Sequence, residues 1–270
     1  MRFLELELER VDDLSPLHPR DVQSLCAPSD SITVLLDRPD GARPRLQRIE
    51  DGGEIDLGGF VPRLLADSPD GAILAIGAGG DFNGLLLSTS GEQVSRYRFG
   101  DGIADLGFDP DGNIFVLRPT PPLLMRFGPE GDRVLDDPAV EDLHDATHQR
   151  DGWMLLIQND GAIWLNLSEK FDHDGRLLAA VDPAALFGAG RVAADLIGWD
   201  GIVVLNARGE MTAVRGAGQT RAVRLPDGAI KKALGRTLTA ELDLFVTKGE
   251  KLLLMATDRN ALLRFRILSE

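Results

Sequence analysis

The chain has 270 residues, is 43% hydrophobic and carries a net charge of −14. That charge excludes a general nucleic-acid binder, which needs a basic footprint, and disfavours docking on anionic lipid. The single cysteine, Cys26, excludes an internal disulfide, and no run approaches the ~18 apolar residues of a membrane span.

The first ten residues, Met1 to Arg10, alternate apolar and charged. That pattern predicts a strand with one wet face and lacks the apolar core of a signal peptide, so a soluble, cytoplasmic protein is expected. Turn signals then recur at Asp30, Asp70, Asp111, Asp151, Asp200 and Lys248, with spacings of 40, 41, 40, 49 and 48 residues. A period of about 40–50 residues with four short strands per unit is the signature of propeller blades. The strand after each turn is the most apolar of its unit: Ile32 to Leu36, Ile73 to Ile76, Ile114 to Leu117, Trp153 to Ile157, Ile202 to Leu205 and Leu252 to Met255. Continuous apolar runs predict burial on both faces. Third strands alternate more, as in Arg45 to Ile49. Fourth strands are the wettest, as in Val94 to Phe99 and Thr220 to Leu225.

The expected fold is all-β: a single six-bladed propeller over residues 1–270. Its blades lie at 14–57, 58–100, 101–138, 139–182, 183–226 and 227–270. The last has only three strands of its own, so the spare strand 2–10 is expected to complete it and close the ring. Pairing of Arg2 to Arg10 with Ala261 to Ile267 follows, with Leu4, Leu6 and Leu8 facing inward and Glu5, Glu7 and Glu9 facing water. The two longer units carry their extra residues near Ser168 to Gly175 and Val181 to Gly188. Short helical stretches are expected at Pro183 and at Gly228 to Gly235.

The third unit carries a denser phrase: Gly102-Ile103-Ala104, then Phe108-Asp109-Pro110-Asp111-Gly112-Asn113-Ile114-Phe115-Val116, then Arg126-Phe127 and Gly131. A weaker copy runs from Asp67 to Leu74. The phrase resembles the NHL-repeat type of six-bladed propeller. It also looks like the gluconolactonase and senescence-marker hydrolase family, which shares that architecture. The resemblance implies an Asp or Asn after each middle strand that can ligate a calcium-like ion. Here those places hold Leu117-Arg118, Gly77-Ala78 and Gln158-Asn159. Only Asn159 and Asn206 have the implied chemistry, so the activity does not transfer.

Acidic residues recur in the expected innermost strands: Asp105, Asp142, Asp195 and Glu241. Converging carboxylates would hold a hard divalent cation such as calcium or raise one another's pKa. The alternative is solvated or amide-capping carboxylates with no cofactor at all. His144 and His148 share a face of one expected strand but lie about 13 Å apart along it, too far for one metal. No phosphate loop, nucleophile elbow or zinc motif is present. Arginines outnumber lysines 24 to 5 and stud the third and fourth strands. The expected function is a non-catalytic protein-interaction scaffold in a larger bacterial assembly, with another protein as partner. The alternatives are a metal-dependent hydrolase or lactonase at the channel mouth, and a small-ligand sensor.

Overall fold

The computed structural model describes residues 4–14, 22–26, 33–36, 43–119, 122–128, 133–135, 155–157, 161–165, 169–173, 176–182, 185, 191–196, 201–206, 208–215, 219–239, 243–248, 251–256 and 258–269. It divides the chain into two compact units. One joins Met1–Arg20 to Val181–Glu270, and the other is Asp21–Ala180. Strand β1 (Leu4–Asp13) belongs to the first of these.

The unit Asp21–Ala180 contains four four-stranded antiparallel sheets. The first is β2 (Val22–Cys26), β3 (Thr33–Leu36), β4 (Arg45–Arg48) and β5 (Glu54–Ile55). The second is β6 (Val61–Asp67), β7 (Ile73–Ala78), β8 (Gly84–Leu87) and β9 (Gln93–Tyr97). The third is β10 (Asp105–Phe108), β11 (Ile114–Pro119), β12 (Pro122–Phe127) and β13 (Arg133–Leu135). The fourth is β14 (Leu155–Ile157), β15 (Ile163–Leu165), β16 (Glu169–Phe171) and β17 (Leu177–Ala180). In each, spatial order follows chain order.

The second strands show why these runs are continuously apolar. Successive side chains of a strand point to opposite faces. Ile73 and Ala75 of β7 join a core with Leu46, Leu65 and Leu85, while Leu74 and Ile76 join another with Leu106, Ile114 and Val116. Phe115 and Leu117 of β11 turn the other way, into a third core with Leu155, Ile163 and Leu165. Each middle strand is therefore shared between two neighbouring cores. Full burial of one such side chain stabilises by about 1.5–3 kcal/mol.

The turns are built from one device. Asp109 N–H donates to Asn113 O, and Gly112 N–H to Asp109 O. The Asp109 carboxylate accepts from the N–H groups of Asp111 (3.0 Å) and Asn113 (2.8 Å). Gly112 takes φ 83°, which only glycine adopts cheaply. Ser68, Ser88 and Asn206 open turns of the same kind. The recurrent Asp-Gly phrase is thus a hairpin code, with a polar acceptor at its first position.

In the other unit, β18 (Arg191–Leu196), β19 (Gly201–Asn206), β20 (Met211–Arg215) and β21 (Gln219–Arg224) form one antiparallel run. Helix α1 (Asp227–Leu234) follows, buries Ile230 and Leu234, and ends at Gly235 in the left-handed region. Strands β22 (Asp243–Lys248), β23 (Lys251–Ala256) and β24 (Ala261–Ser269) form a second run. Strand β1 joins both. It pairs antiparallel with β24 from Glu5↔Ser269 to Asp13↔Ala261, and parallel with β21 at Leu4↔Val223 and Glu5↔Arg224. The result is one eight-stranded sheet, where the sequence suggests two separate groups. Leu4 and Leu6 are buried in the core with Leu205, Leu254 and Phe265, and Leu8 packs against it.

β1 also runs three residues beyond the alternating stretch. A register shift falls between Leu8 and Arg10. Beyond it Val11 is exposed and Asp12 buried. Buried Asp12 is met by Arg264 Nε at 2.5 Å, and Arg224 Nη1 reaches Glu5 at 2.9 Å. Among the described residues, no helix is long and apolar enough to cross a membrane.

Candidate functional site

Asp105 starts β10, opposite Leu117 of β11. Its carboxylate faces the neighbouring sheet. Oδ2 accepts the N–H of Leu155 on β14 at 2.7 Å, and Oδ1 accepts the N–H of Leu106 at 2.9 Å. Burial pushes its pKa up to about 6, against the pull of those two donors. The side chain thus pins the first strand of one sheet to the first strand of the next. Asp195 lies on β18 opposite Ile202. Asp142, Glu241, His144, His148 and Asn159 lie outside the described residues, as does the stretch at Pro183. Among the described residues, no three His, Cys, Asp or Glu side chains are grouped to hold a metal ion.

A second desolvated carboxylate was not visible in the sequence. The stretch Ser168 to Gly175 reads as an insertion, yet Glu169–Phe171 forms β16. Glu169, Lys170 and Phe171 are all buried. Glu169 stands in a cross-strand row with Leu155 and Leu165, and burial raises its pKa. Its Oε2 has no hydrogen-bond partner. Lys170 lies on the other face, with Nζ 5.9 Å from the centre of the Trp164 ring.

Among the described residues, the positions after the middle strands include Gly77, Arg118 and Asn206. A Cβ at Gly77 would lie 1.9 Å from Val61 O, so no side chain fits there. Asn206 is spent on its own turn: its Oδ1 accepts from Arg208 N (2.9 Å) and Glu210 N (3.0 Å). Arg118 sits after Leu117, half-buried, with its Nε enclosed and without an acceptor.

The outer strands differ sharply in how they meet solvent. β5 is two residues long and β13 three. β21 is paired with β1. β9 is open but carries Gln93, Ser95 and Arg96 around an exposed Val94. Short strands, charge and pairing are the usual protections of a sheet edge. Among the described residues, β17 has neither charge within the strand nor pairing on its outer side. It reads Leu177-Leu178-Ala179-Ala180, and Leu177 and Leu178 are 52% and 51% exposed. A bulge skips Leu178 in the pairing with β16, as one skips Val94 in β9, so the exposed position is a shared feature. The apolar partner beside it, Leu177, stands where β9 has Gln93. A fourth strand without charge was the signal available in the sequence.

No protein-family model and no curated protein sequence matches this chain. Solved structures do resemble it. A virginiamycin B lyase from Staphylococcus aureus superposes with a TM-score of 0.55 at 10% identity, covering 97% of this chain and 100% of that one. A Bacteroides thetaiotaomicron protein of unknown function gives 0.59 at 13% identity over 97% of this chain and 76% of its own. YCF48, bound to a D1 peptide, gives 0.54 at 13% identity over 92% of this chain and 78% of its own. These are β-propeller-type folds. Likeness at such identity identifies the fold and not an activity.

Proposed function

We propose that this chain is a non-catalytic protein-interaction module, a cytoplasmic subunit of a larger bacterial assembly. Its partner contributes an extended apolar segment that adds a strand to β17. In the same reading, the six strand groups are six blades of one propeller, and β1 supplies the outer strand of the last. The observation that carries the proposal is the open edge of β17, apolar where the comparable edge of β9 is charged. Strand addition draws affinity from main-chain hydrogen bonds and specificity from alternate side chains. This chain already uses edge pairing internally, where β1 lies along β21. A structure of similar fold, YCF48, is bound to a D1 peptide, which supports a peptide segment as the occupant.

A hydrolase reading draws on Asp105, whose pKa of about 6 suits general acid–base work. Its two oxygens, however, already accept backbone N–H groups. The test uses parent protein and a Leu177→Lys/Leu178→Lys double variant as bait in native lysate at moderate salt. A lactone panel with added calcium or zinc runs beside it. A partner retained by the parent and lost by the variant supports the proposal. Metal-dependent turnover without any partner overturns it.

A further inference from the structure

Against the loop between β9 and β10 lies a cationic group with no counter-charge among the described residues. Arg118, at the end of β11, lays its stem near Gly102: a Cβ there would sit 3.7 Å from its Cγ. A Cβ at Gly100 would sit 3.6 Å from its Nη1. Both glycines have positive φ, 86° at Gly100 and 75° at Gly102, and neither presents a side chain to the guanidinium. Arg118 is half-buried, its Nε is enclosed without an acceptor, and it forms no ion pair among the described residues. Asp101, between the two glycines, is exposed and does not pair with it. A second arginine contacts the same segment: Arg63 Nη2 donates to Ile103 O.

The loop is held in place independently of these arginines. Asn83 Oδ1 accepts the Phe99 N–H at 2.8 Å, and its Nδ2 donates to Gly100 O. Arg98 Nε donates to Asp81 O at 2.7 Å. A partly desolvated guanidinium without a counter-charge is costly, and among the described residues of this acidic chain no carboxylate pairs with it. The planar guanidinium suits bidentate recognition of an oxyanion.

We infer that Arg118 binds an oxyanion, a carboxylate or phosphate group, at the loop from Gly100 to Ile103, a segment that Arg63 also contacts. The site is independent of the β17 edge. The occupant repays the desolvation of Arg118 and enters a preorganised loop, so binding needs little rearrangement. The test is a titration of the full-length, nitrogen-15-labelled protein, following the arginine Nε–Hε resonances. Sodium acetate and inorganic phosphate serve as separate probes in the millimolar range, with ionic strength held constant by sodium chloride. The expected result is a saturable shift of the Arg118 resonance, assigned with Arg118→Lys, while that of Arg96, stacked over Phe82, stays put. A response to acetate alone identifies a carboxylate site, and to phosphate alone a phosphate site. Response to both leaves the shared oxyanion chemistry. A rise in melting temperature with the active probe should vanish in Arg118→Gln. If that variant does not fold, the parent titration decides by itself. No saturable shift with either probe, or all arginine resonances moving together, overturns the inference.

Discussion

Replacing Asp105 with Asn should flatten the pH dependence of stability between pH 4 and about 6. Burial raises the carboxyl pKa to about 6 in the folded chain, from an ordinary 3.8. Between those limits the folded state holds more protons than the unfolded state. Stability therefore falls as pH rises through this window and is level above it. At 1.36 kcal/mol per pKa unit, the whole shift corresponds to about 3 kcal/mol. Roughly 1 kcal/mol of that falls between pH 7 and pH 5. Asp258 acts in the opposite sense. Its hydrogen bonds from Arg236 hold its pKa low, so its contribution is lost only as pH falls below the ordinary carboxylate range. Glu169 shares the direction of Asp105, and Glu169→Gln separates the two. The assay is denaturant unfolding of parent and both variants at pH 5 and pH 7. Asp105→Asn should also lose stability at pH 7, because Leu106 and Leu155 donate to different carboxylate oxygens and the amide NH2 that replaces one of them cannot accept. A variant with the parent's pH profile, or a parent that gains stability from pH 5 to 7, would refute the assignment.

Gly77→Ala should cost more than about 4 kcal/mol, because its Cβ collides with backbone at Val61 O. Gly80→Ala, with open space around it, should cost only about 1 kcal/mol of left-handed strain; equal melting temperatures for the two variants would contradict this. Asp12→Ala should lose roughly 3–5 kcal/mol by stranding Arg264, whose side chain is 12% exposed. The double variant Asp12→Ala/Arg264→Leu should recover part of that loss, and calorimetry on both variants checks it.

The repeat was legible because it rests on local chemistry. Asp-Gly turns and doubly buried runs such as Ile114 to Leu117 are set by neighbours in sequence. The pairing of β1 with β24 was legible too, from the alternation of Leu4, Leu6 and Leu8. Its contact with β21 was not, since two residue pairs of edge contact leave no periodic trace. The burial of Asp12 goes with its contact to Arg264, 252 residues away in sequence, which leaves no local trace. Asp105 stood out as a recurrent inner-strand acid, but its hydrogen bond to Leu155 spans fifty residues of sequence. Glu169 was hidden because charged residues beside a Gly-containing stretch read as a loop. That Arg118 has no counter-charge among the described residues becomes visible only once its surroundings are known.

Hydrogen exchange of β17 in the purified complex bears most directly on protein binding by strand addition. The amides of residues 177–180 form an outer strand of the fourth sheet and should exchange readily in the free chain. Strand addition predicts strong protection of those amides when the partner is bound, and loss of both partner and protection in Leu177→Lys/Leu178→Lys. A bound partner with β17 exchanging as it does in the free chain, or the same partner held equally by the variant, would contradict it.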